Sequence, residues 1–214
     1  MEIEINVPTT LSDITLGQFQ EFNKKVTEET KESELHRIIL STFCGVNLKD
    51  TLKVRAIDAK AITDIVLEML NEEPKRITFF KMNGVDFAFH PSLDDMSLGE
   101  YVDLDKHITD YDTMHYAMSV LYRPVIRLEK GLYNVEDYEP EKYDMKGMPM
   151  SAVLYANVFF YNLGNDLLKT MSHSFSDQEV DYLEKMGLTK NGDGMVQFSH
   201  SLTGILRDLN ISLN

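Results

Sequence analysis

The 214-residue chain predicts an α+β fold that is predominantly helical, with several amphipathic helices, two β-hairpins and one buried apolar helix near 149–168. Three observations carry that prediction. Apolar residues recur at helical spacing along most of the chain. Two short alternating runs are joined by residues that favour positive φ. One densely apolar stretch is interrupted too often to cross a bilayer. No strand–helix–strand alternation is present, which argues against a doubly wound sheet.

The first and fourth predicted helices share a start. LSDITLGQFQEF (11–22) and LDDMSLGEYVDL (93–104) read almost alike. Thr15 with Gln18, and Ser97 with Glu100, have the spacing of a capping box, in which the hydroxyl accepts from a first-turn amide and the longer side chain reaches back to the cap. Ile14 with Phe19, and Met96 with Tyr101, have the spacing of a hydrophobic staple. Asp13 and Asp95 add negative charge at the positive helix end. Alternating runs ending in proline, EIEINVP (2–8) and VDFAFHP (85–91), precede the two starts. Two independent helix starts and a duplicated module both account for this recurrence, which reads as a structural device rather than a catalytic signature.

The remaining elements follow in order. TEETKESE (27–34) is a solvated turn or the polar end of a helix. ELHRIILSTFCG (34–45) puts Leu35, Ile38, Ile39, Thr42 and Phe43 on one helical face, with Gly45 at the stop position. Asp58 is the expected cap of a helix over 59–73, which has Ile62, Ile65, Val66, Met69 and Leu70 as its stripe and Pro74 as its end. ITFFKM (77–82), Asn83-Gly84 and VDFAFH (85–90) form a hairpin, because Asn-Gly supplies a type I′ turn; EIEINV is a candidate third strand. A helix around 113–122, capped by Asp110 or Asp112, breaks at Arg123-Pro124. VIRL (125–128), the turn EKG and YNVEDY (133–138) predict a smaller hairpin, and 139–149 a loop. Pro149 suits the first position of the long apolar helix. Asp177 caps a short helix that stops at Gly187, and a final amphipathic helix covers about 195–209. The chain divides into an α+β region over 1–109 and a mainly helical region over 110–214 carrying the hairpin 125–138; a single compact domain is the alternative.

Composition narrows the function. Acidic residues outnumber basic ones 35 to 21, a formal charge of −14. Such a surface repels nucleic-acid phosphates and favours basic partners, and the only basic clusters, Lys24-Lys25 and Lys75-Arg76, are too short to track a phosphate backbone. Cys44 is the single cysteine, so neither a disulfide framework nor a cysteine zinc site is expected. The N-terminal residues lack the pattern of a signal peptide. MPMSAVLYANVFFYNLG (148–164) carries Ser151, Asn157 and Asn162, and reads as a core helix rather than a membrane span.

The residues offer little chemistry. Cys44 ends an apolar helix, where the dipole disfavours a thiolate, and reads as a small buried hydrophobe. No nucleophile-elbow, Walker or dinucleotide glycine pattern occurs. Asp103 and His107 share a helical face, with Asp105 and His115 nearby, but no second set completes a metal site. TKNGDGMVQFSH (189–200) resembles an EF-hand loop, offering Asn191, Asp193 and Gln197 as oxygen ligands. Thr189 and His200 stand where that loop needs its anionic first and last ligands, so a glycine-rich connection is the better reading. Paired acids such as Asp94-Asp95 and Glu136-Asp137 are too common here to signal acid–base work. No cofactor, no metal and no catalytic residue is expected.

LYRPV (121–125) and MPMSAVLYANVFFYNLGNDLL (148–168), with SLGEYVDLDKHI (97–108) and FCGV (43–46) upstream, resemble a pattern in morphogenesis proteins of tailed double-stranded DNA bacteriophages. The resemblance covers most of the chain through apolar and cap residues. Such proteins are encoded among tail and neck genes, and several are called tail assembly chaperones. It implies a non-enzymatic protein acting through protein–protein contacts in the host cytoplasm during assembly. A stable virion part (neck, ring or baseplate adaptor) is the alternative, with an uncharacterised cytosolic enzyme as the third reading. Its expected partners are other phage structural proteins of the tail, neck or portal-proximal region, or further copies of itself, with no nucleic acid and no membrane. Tyr122, Arg123, Met148, Met150, Tyr155, Phe159 and Phe160 are the expected contact residues. Twelve methionines, Met145, Met148 and Met150 around one loop among them, suit either a repacking surface or a core. Tyrosines concentrate between Tyr101 and Tyr161, as at an interface or a core edge.

Overall fold

The computed structural model describes the backbone of residues 5–174 and the side chains of residues 5–162. The helices expected over 177–187 and about 195–209, and the loop bearing Asn191, Asp193 and Gln197, lie outside the described residues. Within them, six α-helices and a four-stranded antiparallel sheet form an α+β fold with a helical majority.

The helices are α1 (Leu16–Lys25), α2 (Glu32–Thr42), α3 (Ala56–Leu70), α4 (Leu98–His107), α5 (Met114–Leu121) and α6 (Met150–Ser174). Both of the similar starts are capping boxes. Thr15 Oγ1 accepts from the Gln18 amide at 3.2 Å, and Gln18 Oε1 accepts from the Thr15 amide at 2.9 Å. Ser97 Oγ accepts from the Glu100 amide at 3.3 Å, and Glu100 Oε2 accepts from the Ser97 amide at 2.6 Å. After α2, Gly45 takes φ +66°, the left-handed stop that its position predicts. α3 begins three residues earlier than expected. Asp58 lies inside its first turn, where the carboxylate takes the Arg55 guanidinium at 2.6 and 2.9 Å instead of capping.

The strands are β1 (Phe79–Met82), β2 (Val85–Phe89), β3 (Tyr122–Glu129) and β4 (Leu132–Val135), in the order β1-β2-β3-β4. Both hairpin turns have positive φ at two residues, Asn83-Gly84 and Lys130-Gly131, as type I′ geometry requires. The strand beside the first hairpin is β3; of the candidate strand EIEINV, residues 5–7 join no strand and the rest lies outside the described residues. β3 follows α5 directly and starts three residues before the expected hairpin. Its pairing with β2 covers only Phe89↔Tyr122, Ala88↔Arg123 and Phe87↔Pro124. Pro124 has no amide to donate, and the ladder ends there. A bulge between Val125 and Arg127 follows, and the rest of β3 pairs β4 alone. Bulges bend the strand that carries them, so β3–β4 departs from the first hairpin as an arm.

The larger of two apolar clusters runs from Leu11 to Phe160 and draws on residues from both sides of position 110; the smaller joins Leu40, Cys44, Val46 and Ala59. The centre of the larger is the first turns of α6, where Met150, Ala152, Val153, Leu154 and Ala156 are fully buried. The segment before α6 is bound to the first capping box. Leu16 donates to the Met148 carbonyl at 2.9 Å, and Met150 donates to that of Ile14 at 2.8 Å. Among the described residues, no helix is long and apolar enough to cross a membrane.

Candidate interaction surface

The structure brings most of the expected contact residues together, but inside the molecule. Tyr122, Met148, Met150 and Phe160 are buried, and Tyr122 donates its hydroxyl to the Ile77 carbonyl at 2.8 Å. Burial pushes the Tyr122 phenol far above its ordinary range. Tyr155 and Phe159 are half-buried against the edge of Phe89, at 5.8 and 5.3 Å between ring centroids. Tyr122, Met148, Met150 and Phe160 are therefore corrected from surface to core, and Tyr155 and Phe159 stand at its edge. LYRPV and MPMS are where α5, β3 and α6 meet, and packing fixes those residue types. Met145, fully buried as well, is likewise core filler.

Cys44 is buried, and desolvation pushes its thiol up to about 11, consistent with an unreactive side chain. Asp103 accepts from the Tyr138 hydroxyl at 2.9 Å. The His107 ring lies 5.0 Å from that of Tyr116. Among the described residues no group of three His, Cys, Asp or Glu is placed to hold a metal.

The second capping box reaches further than its sequence announces. Glu100 offers its other oxygen, Oε1, to Arg123 at 2.8 Å, and both side chains are more than nine-tenths buried. Desolvation raises the Glu100 pKa, but the Ser97 amide and hydroxyl and the Arg123 charge outweigh it, so the group stays below its ordinary value. His90 completes the cluster. Burial, then the Arg123 charge, lower its pKa and keep the ring neutral near pH 7. Its Nδ1 accepts from the Ser92 amide at 3.2 Å, which leaves the proton on Nε2. The Nε of Arg123 is buried with no acceptor among the described residues. All three groups line an open cleft of about 580 Å³, with Asp95 and Asp137 also on its wall.

Beside this cleft stands an apolar surface that the sequence reading did not single out. Ile126 is 64% exposed, Leu128 61% and Leu132 79%, all on the β3–β4 arm, and Phe79 on β1 is 47% exposed. The Phe79 ring meets Tyr133 of the arm at 4.8 Å, edge to face. A groove of about 590 Å³ separates the two hairpins, with Phe79, Val125, Ile126 and Leu128 among its lining. Ile126 lines the groove and the polar cleft alike. The charges on the arm largely cancel: Arg127 pairs with Glu129 at 2.7 Å, and Lys130 has no ion-pair partner among the described residues. The signal available in the sequence was the run VIRL, expected as one strand of the smaller hairpin. Only the bend after Pro124 takes both its faces away from the core.

Comparison with protein families, with curated proteins and with solved structures returns no match for this chain.

Proposed function

We propose that this protein is a non-enzymatic morphogenesis factor of a tailed double-stranded DNA bacteriophage, acting through protein–protein contacts in the manner of a tail assembly chaperone. The observation that carries the contact reading is the uncovered apolar surface of Phe79, Ile126 and Leu128, which line one groove. Contiguous large apolar residues on a hydrogen-bonded scaffold are retained where another chain covers them. The net charge of −14 keeps such a molecule soluble while that surface is free. The assignment to phage tail or neck assembly, and with it action in the host cytoplasm, rests on the resemblance carried by LYRPV and the segment 148–168.

Affinity capture from infected cells, using the full chain and Leu128→Asp, tests the reading. The wild-type protein is expected to retain a tail, neck or portal-proximal component, and the variant to lose it while keeping its thermal transition. No captured phage component, or equal capture by the variant, overturns the proposal. Mass spectrometry of purified particles then separates a transient factor from a virion part, since stoichiometric presence identifies the latter.

A further inference from the structure

We propose that the β3–β4 arm and the adjoining cleft are two halves of one self-complementary contact, so that a second copy of this chain seats its Lys130-Gly131 tip in the cleft of the first, and receives the tip of the first in its own. The inference rests on the contact reading above and names the partner.

The cleft states what it would take. Neutral His90, on the wall of the cleft, keeps its proton on Nε2, and a carbonyl oxygen is the acceptor that answers it. Glu136 on the wall is already held by Lys142 at 3.1 Å. Asp95 and Asp137 have no ion-pair partner among the described residues, and they disfavour an anion while favouring an ammonium. Ile126 and Val135 supply apolar wall. The fitting occupant is therefore a main-chain carbonyl beside a lysine, flanked by apolar residues.

The chain carries that combination at the tip of the arm. Lys130 and Gly131 form the two-residue turn of the arm, both exposed and both at positive φ. Leu128 and Leu132 flank them on either side and are largely exposed. Because Ile126 belongs to the cleft and the arm alike, the two features share one face. At about 3.3 Å per residue the tip stands on the order of 13 Å beyond Ile126. A two-fold axis across that face places each arm over the other's cleft, the isologous arrangement in which one patch serves twice. Elsewhere two chains of charge −14 repel; here the arm is close to neutral, and its unpaired cation meets unpaired carboxylates.

Sedimentation equilibrium of the full chain from micromolar to millimolar concentration, at low and high salt, tests this with Lys130→Glu, Asp137→Lys and the double swap. The expected result is a reversible monomer–dimer equilibrium weakened by salt. Each single swap should raise the dissociation constant about tenfold or more, and the double swap should recover most of the loss, with far-UV spectra and thermal transitions unchanged throughout. A chain that stays monomeric over the whole range overturns the inference, as does a dimer indifferent to the single swaps or one that the double swap fails to restore. A monomeric protein that still captures a phage component would sink this inference and leave the functional proposal standing.

Discussion

The two copies of the LG-containing helix start have the same caps and opposite fates. In the first, Leu16 is fully buried and Phe19 2% exposed; in the second, Leu98 is 78% exposed and Tyr101 54%. Gly17 and Gly99 separate as sharply. A Cβ on Gly17 would sit 3.1 Å from Lys146 Cβ and 3.2 Å from the Lys146 carbonyl oxygen, whereas one on Gly99 would meet only Ser97 Oγ, at 3.9 Å. The third positions differ in reach. Gln18 donates its amide to the Thr42 carbonyl at 3.0 Å, a neutral tie to α2. Glu100 ties α4 to β3 with charge. A capping box thus fixes where a helix begins and leaves open what the helix is for. The first copy is a core element, and the second holds a buried ion pair beneath a cleft while showing solvent its apolar side.

Four experiments sharpen that contrast. The largest effect belongs to the ion pair. Arg123→Met strands Glu100 in the interior and should cost about 3–5 kcal/mol in urea unfolding, most of it returned by adding Glu100→Gln, because an isolated buried charge is worse than none. Gln18→Ala loses a cap and a neutral hydrogen bond and should cost only about 1 kcal/mol. Leu16→Ala should cost about 2–5 kcal/mol as a buried truncation, while Leu98→Ala should stay within about 0.5 kcal/mol of wild type; equal costs would mean that the second copy is packed after all. Gly17→Ala should destabilise by about 1–3 kcal/mol, as the Lys146 backbone must give way, and Gly99→Ala should stabilise by about 0.5–1 kcal/mol, since alanine is the better helix residue.

The smallest effect is a dependence on pH. Glu100 titrates below its ordinary value when folded, so its contribution is complete above the unfolded carboxyl pKa and is lost as pH falls through the folded one. His90, also lowered, adds a loss in the same direction that begins below its ordinary value of 6.5, since the unfolded imidazole binds the proton more readily. Denaturation midpoints followed from neutral to acid pH should therefore fall less steeply in Glu100→Gln and in His90→Gln than in the wild type.

What the sequence made legible was local. The caps at Thr15 and Ser97, the stop at Gly45, the Asn83-Gly84 turn and the start of α6 after Pro149 all follow from interactions spanning a few residues. The joining of two hairpins into one sheet through Phe87↔Pro124 to Phe89↔Tyr122 does not, because those partners are far apart in the chain and Arg123-Pro124 reads locally as a helix break. Asp58 looked like a cap until Arg55 claimed it. The apolar density of LYRPV and MPMS was visible, but whether it faced inward or outward depended on α5 and α6 meeting there. Likewise nothing adjacent to Ser97 announced that Glu100 would find Arg123. The exposed arm was the least legible part, since VIRL reads the same in a covered strand and in a bare one.

The clasp between the first capping box and the head of α6 has a consequence for biosynthesis. Ser12 and Ser151 touch at 2.8 Å although 139 positions separate them, and the Ile14–Met150 and Leu16–Met148 backbone bonds lie beside them. During translation the first helix emerges early, with its greasy side bare, and must wait for most of the described chain before the segment that shields it leaves the ribosome. Long-separation closure of this kind slows folding and prolongs the interval in which nascent chains stick to one another. Ribosome-bound intermediates stalled before Met148 should therefore remain protease-sensitive throughout, and compaction should set in only once the head of α6 has cleared the exit tunnel.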